Sequence, residues 1–284
     1  MSYTTTSQLE REARSTGDST TWRAYFNSFR DSPENVRNKC YAILNENPEG
    51  AKQPALEKLV EKGGVWIERD SDYGRFHYGS FHIHGVRDQI GDTTPYTLSW
   101  RKCLHLRDIE TVSFTEAELL SHLYDSDEYL PSAKQVDGTL RAIETASADL
   151  GQAEIIKTFL DTLRAQMTRY GMHTSTHIEN ATLIHGWGRQ NTEHIELPRI
   201  QSGIARVETI MYLLGSTDMS PQIQQRYALL SDFEPTRVEY LLEGDVHVMI
   251  TGGGNNPVRY YTASDVNTRG VSRLVKKTPI AKPN

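Results

Sequence analysis

The sequence has almost no cysteine. Cys40 and Cys103 are the two in 284 residues, and they sit in unrelated segments without metal-type spacing. The expectation is a pair of reduced, buried thiols in a cytosolic protein rather than a disulfide framework or a Cys-ligated metal. A long apolar run is also missing, so no segment is expected to span a bilayer. The opening stretch MSYTTTSQLEREARSTGDSTT lacks the apolar core of a secretory signal. Polar and rich in Ser and Thr, residues 1–19 read as a flexible or partner-ordered arm. Positive charge is not in excess either: the formal net charge is -6, which argues against coating duplex DNA by charge alone.

Catalytic and cofactor signatures are absent as well. There is no H-E-x-x-H and no G-x-S-x-G. TGGGNNP (251–257) lacks the G-K-[ST] ending of a phosphate loop and leads into a strand, so it reads as a hairpin loop. Neither cysteine has a local catalytic partner. His247, alternating with Val246 and Val248, reads as a sheet-surface residue. The expectation leans away from an enzyme.

What is present suffices for a core. The chain is 37% hydrophobic and 9% aromatic, with a mean hydropathy of -0.57, long enough for one large domain or two small ones. Its charge is uneven. Residues 115–155 carry nine acids against Lys134 and Arg141. Residues 257–284 carry six bases (Arg259, Arg269, Arg273, Lys276, Lys277, Lys282) against Asp265. An acidic middle and a basic tail emerge, the tail read either as a nucleic-acid contact or as a solvated terminus.

Periodicity divides the chain. TTWRAYFNSFRD (20–31) puts Trp22, Tyr25, Phe26 and Phe29 on one helical face. SPENVRNKCYAILNE (32–46) opens with Ser32 as N-cap and Pro33 at the first helical position. PALEKLVEKGG (54–64) ends at Gly63. From Gly64 to Phe114 the period changes to two, predicting a small antiparallel sheet. Thr115 with Glu118 forms a capping box, and a helical block is predicted from there to residue 243. Its clearest member is QAEIIKTFLDTLRAQMTRYG (152–171). DVHVMI and VRYYT predict a last β-hairpin within 244–263, followed by a basic tail, 264–284. The predicted fold class is α+β: N-terminal helices, a small central antiparallel sheet (together 20–114), a large helical block (115–243) and a C-terminal β-hairpin.

GRFHYGSFHIHG (74–85) is the densest chemical feature. A two-residue turn at Gly79-Ser80 would place Phe76, Tyr78, Phe81 and Ile83 on one face and Arg75, His77, His82 and His84 on the other. His77, His82 and His84 form an arrangement able to hold zinc or another divalent ion, with Asp88 or Glu179 as further ligand or support. The same face suits phosphates and bases, with Tyr73, Trp66 and Trp100 as added ring surfaces. DYGRF followed by FHIHG resembles a fragment of RNA-binding OB-type barrels, which implies RNA or single-stranded DNA contact.

YGMHTSTHIENATLIHGWGRQNTEH (170–194) holds four more histidines. The reading breaks a helix at Gly171 and restarts it with Thr176 as cap and Glu179 completing a capping box, which takes His173 and His177 out of ligand register. HGWGRQN (185–191) reads as an exposed loop presenting Trp187 and Arg189.

Three functional classes follow. The first is a non-enzymatic protein binding RNA or single-stranded DNA through Arg75, His77, His82, His84, Trp187, Arg189, Arg269, Arg273, Lys276 and Lys277, without cofactor. The second is a homo-oligomeric structural or assembly protein of virus or phage type. The third is a metal-dependent enzyme using His77, His82 and His84. The expected compartment is the cytoplasm, or the host cytoplasm or virion for a viral protein, with no membrane partner.

Overall fold

A computed structural model describes residues 5–69, 80–88, 94–103, 112–113, 127–147, 151–179, 182–186, 192–196, 225–226, 246–250, 258–262, 269–270 and 273–280. The fold is α+β, with six helices and antiparallel sheets among these residues.

Residues 5–19, within the predicted arm, are not free. They contain α1 (Thr6–Thr16), started by a reciprocal capping box between Thr5 and Gln8 and stopped by Gly17 at φ 62. In α2 (Ser19–Asn27) the Asp18 carboxylate accepts the Thr20 and Thr21 N–H groups at 3.0 and 3.1 Å. Helices α3 (Pro33–Glu46) and α4 (Lys52–Glu61) match their sequence signals closely. The predicted aromatic stripe is core: Trp22, Tyr25, Phe26 and Phe29 pack with Ala13, Val36, Cys40, Ile43 and Leu59 in one cluster.

The first sheet has strand order β1 (Trp66–Arg69), β2 (Phe81–Val86), β3 (Tyr96–Cys103) and β11 (Arg273–Pro279). Among the described residues it is a four-stranded antiparallel sheet with β1 and β11 at its edges. Within β2 a bulge at Gly85, whose φ is +100, restarts the alternation so that Val86 returns to the core face with Phe81 and Ile83.

Within the predicted basic tail, 264–284, the described residues include two strands. β11 pairs along β3 and buries Leu274 and Val275, and Val275 exchanges backbone hydrogen bonds with Tyr129 on its outer side. β10 (Arg269–Gly270) pairs with β4 (Val112–Ser113) in a separate two-stranded ladder.

The second sheet is where the predicted helical block fails. Residues 172–196 form three strands, β5 (Met172–Glu179), β6 (Thr182–Gly186) and β7 (Thr192–Glu196), joined by β8 (Val246–Ile250) and β9 (Val258–Thr262) in the order β7-β6-β5-β8-β9. The β8–β9 hairpin is as expected. Thr176 does cap a helix, but not its own: its Oγ1 accepts the Ala133 N–H at 2.8 Å, at the start of α5 (Ala133–Ser147). Ser132 and Gln135 complete that N-terminus reciprocally. Of the helical block predicted over 115–243, residues 115–126, 197–224 and 227–243 lie outside the described residues.

α5 packs against β2 of the first sheet and β5 and β8 of the second, within one large apolar cluster. Gly138 allows this approach, because a Cβ there would stand 2.6 Å from the Arg87 carbonyl oxygen. Next to it in the helix, fully buried Asp137 accepts Arg226 Nη1 at 3.0 and 3.1 Å and Arg141 Nε at 2.9 Å. The Arg226 Nε also reaches Glu144 at 3.0 Å. A buried carboxylate needs such partners, since desolvation alone would neutralise it. α6 (Ala153–Tyr170) has the predicted stripe, burying Ile156, Phe159, Leu160 and Leu163, and ends before Gly171 at φ 76.

Candidate functional site

Of the histidine stretch 74–85, residues 80–85 are described and 74–79 lie outside the described residues. Both edges of β2 are occupied: Phe81–His84 pair with Arg69–Trp66 on one side and with Trp100–Thr97 on the other. The facial sorting within β2 is as expected. Phe81 and Ile83 are fully buried in the core, and His82 and His84 point to the opposite face.

Directly opposed residues share a face, so the register assembles two polar rows. One runs Glu68, His82, Ser99, Lys276, and the other Trp66, His84, Thr97, Thr278. The sequence treated the histidine strand and the basic segment as separate elements. In the fold they are strands of one sheet, with Lys276 in the His82 row. This face was missed in the sequence at Glu68, Thr97 and Ser99, although the alternations in VWIERD and YTLSW carry the signal.

The histidines are held by hydroxyls. His82 Nδ1 lies 2.7 Å from Ser99 Oγ, and His84 Nδ1 lies 2.9 Å from Thr97 Oγ1. His84 Nε2 has no hydrogen-bond partner among the described residues and is 3.7 Å from Glu68 Oε1. Burial pushes the His84 imidazole down to about 4, with Glu68 opposing and His82 and Lys52 reinforcing. His84 is therefore neutral near pH 7 and acts as a hydrogen-bonding group, not as a cation. Glu68 is held by Trp66 Nε1 at 2.9 Å and Lys52 Nζ at 2.8 Å.

The cations of the face are ion-paired: Lys276 with Asp127 at 3.2 Å and Arg101 with Glu128 at 3.1 Å. Lys277 belongs elsewhere. It stands opposite Leu98, bonds Asp88 at 2.7 Å and lies 4.1 Å from the Tyr96 ring centroid. Asp88, considered above as a metal ligand, is thus committed to Lys277 and to the Tyr96 hydroxyl. Arg273 stands opposite Cys103 on β11, while Arg269 is in the separate ladder opposite Ser113. Arg75, His77, Trp187 and Arg189 lie outside the described residues, as does Tyr73.

Two expected ring surfaces are not available. Trp100 is fully buried on the core face and donates to Thr139 at 3.2 Å. Trp66 packs into the N-terminal helical cluster. Among the described residues no group of three or more His, Cys, Asp or Glu side chains is placed to hold a metal ion. Cys40 is buried and its thiol is pushed up to about 12 by burial. No helix among the described residues is long and apolar enough to cross a membrane.

At the β1 edge the face adjoins a cleft of about 560 Å³. It lies between the end of α3, the start of α4, β1 and the start of α6. Comparison with known proteins adds no relative: no protein-family model, curated protein or solved structure matches the chain.

Proposed function

We propose that the protein is a non-enzymatic binder of single-stranded nucleic acid, RNA or single-stranded DNA, and that the outer face of the first sheet is its contact surface. The observation carrying this reading is the register that sets Lys276 in one row with Ser99, His82 and Glu68. The half-buried His82 and His84 imidazoles, held from within by the buried Ser99 hydroxyl and by Thr97, suit the edges and planes of unstacked bases. Lys276 supplies a phosphate contact by exchanging Asp127 for the ligand.

Because the face holds ion-paired cations and a neutral His84, this binding draws less on charge than duplex coating does. Its salt dependence is correspondingly shallow, at roughly one counterion per phosphate contact. The same reading places the protein in the cytoplasm, or in the host cytoplasm or virion if it is viral. Fluorescence anisotropy with a labelled oligouridylate or oligothymidylate, across a salt series, tests it. Saturable binding that weakens with salt is expected; no binding at low salt ends the reading.

A further inference from the structure

The cleft at the β1 edge is separate from the Lys276 side of the sheet, since β1 and β11 are opposite edges. Its apolar lining comes from Leu44, Trp66, Ile67 and Ile155, and its polar lining includes Asn45, Asn47, Gln152 and Thr158. About 560 Å³ is within the usual range for small-molecule sites.

A peptide strand is a poor occupant, because side chains already close this edge of β1. The Tyr41 hydroxyl donates to the Val65 carbonyl at 2.9 Å and accepts the Val65 N–H at 3.3 Å. Gln152 Oε1 accepts the Ile67 N–H at 2.8 Å. Backbone pairing of the kind that adds a strand is thereby blocked over Val65–Ile67.

Charge narrows the ligand further. Lys52 is engaged by Glu68 at 2.8 Å. Arg69 is exposed and has no carboxylate partner among the described residues; its guanidinium carbon lies 5.8 Å from the Phe81 ring centroid. Glu154 also lines the cleft. One available guanidinium opposed by a carboxylate suits a single phosphate and disfavours a triphosphate. Amide side chains match the donor–acceptor edges of a nucleobase, and the apolar lining matches its plane.

The geometry points to a nucleoside monophosphate site in this cleft, with Asn45 on the base and Arg69 on the phosphate. The site stands independently of the sheet-face reading. Calorimetric titration of the full chain with AMP, GMP, CMP and UMP, alongside ATP, tests it. At least one monophosphate should bind saturably and more tightly than ATP. Arg69→Gln should weaken it about tenfold, the scale of one hydrogen-bonded charge, and Asn45→Leu should alter the preference among bases.

Both variants should keep the circular dichroism spectrum and the oligonucleotide affinity of the parent, and Lys276→Ala should keep the monophosphate affinity. Absence of monophosphate binding at millimolar concentration overturns the proposal. So does equal affinity in parent and Arg69→Gln, or preference for ATP. Loss of oligonucleotide binding alone would leave this site standing and remove the other.

Discussion

Lys276 and His82 flank Ser99 in one row of the first sheet, although they lie at distant points of the chain. That row makes the C-terminal basic segment part of the fold. Removing residues 269–284 would strip an edge strand and expose the cover that Leu274 and Val275 give the core. Truncation therefore reports on folding, and point substitutions are needed to report on binding.

His84 gives a pH dependence whose direction is fixed. Its folded value is about 4 against an ordinary 6.5, so the unfolded chain takes up a proton first as the pH falls. The stability is fully present above about pH 6.5 and is lost progressively down to about pH 4, to a total of roughly 3 kcal/mol. Urea midpoints at pH 7.5 and pH 4.5 should fall less for His84→Asn than for the parent. An equal fall in both contradicts this account of His84.

Asp137 is expected to be the most sensitive polar position in α5. Replacing it by Ala leaves Arg226 buried without its bidentate partner, a change that costs about 3–5 kcal/mol. Chemical denaturation checks this. A loss below about 1 kcal/mol, the scale of an exposed pair, contradicts it.

Gly138→Ala sets two effects against each other. Alanine gains about 0.5–1 kcal/mol in a helix interior. Its Cβ, however, would meet the Arg87 carbonyl at 2.6 Å, and overpacking costs about 1–3 kcal/mol. The clash involves backbone and wins. The variant should unfold at lower denaturant than the parent, and a more stable variant would mean that α5 is not pressed against the end of β2.

Helices α2 to α4 were legible because their signals are local: Ser32 and Pro33 start α3, and Gly63 follows α4, whereas α1 was read as an arm. The facial sorting of Phe81 and Ile83 against His82 and His84 was legible for the same reason, being a property of strand period alone. Pairing partners were not. Thr176–Glu179 has the form of a capping box, yet Thr176 caps the distant Ala133 while HTSTHIE alternates as a strand. RLVKKTP read as part of a basic tail, contacting nucleic acid or solvated, and not as a strand, because its partner, β3, is far away in sequence. The cleft was not legible at all, since it joins the ends of α3 and α6 to β1 and no one of these segments marks it.

The central claim is that the His82–Lys276 face, and not basic charge in general, binds single-stranded nucleic acid. Adjacent lysines on opposite faces of β11 provide the comparison. Oligonucleotide affinity should fall several-fold in Lys276→Ala, with the salt slope reduced by about one, and should hold in Lys277→Ala. Equal losses in the two variants, or no loss in Lys276→Ala, would contradict it.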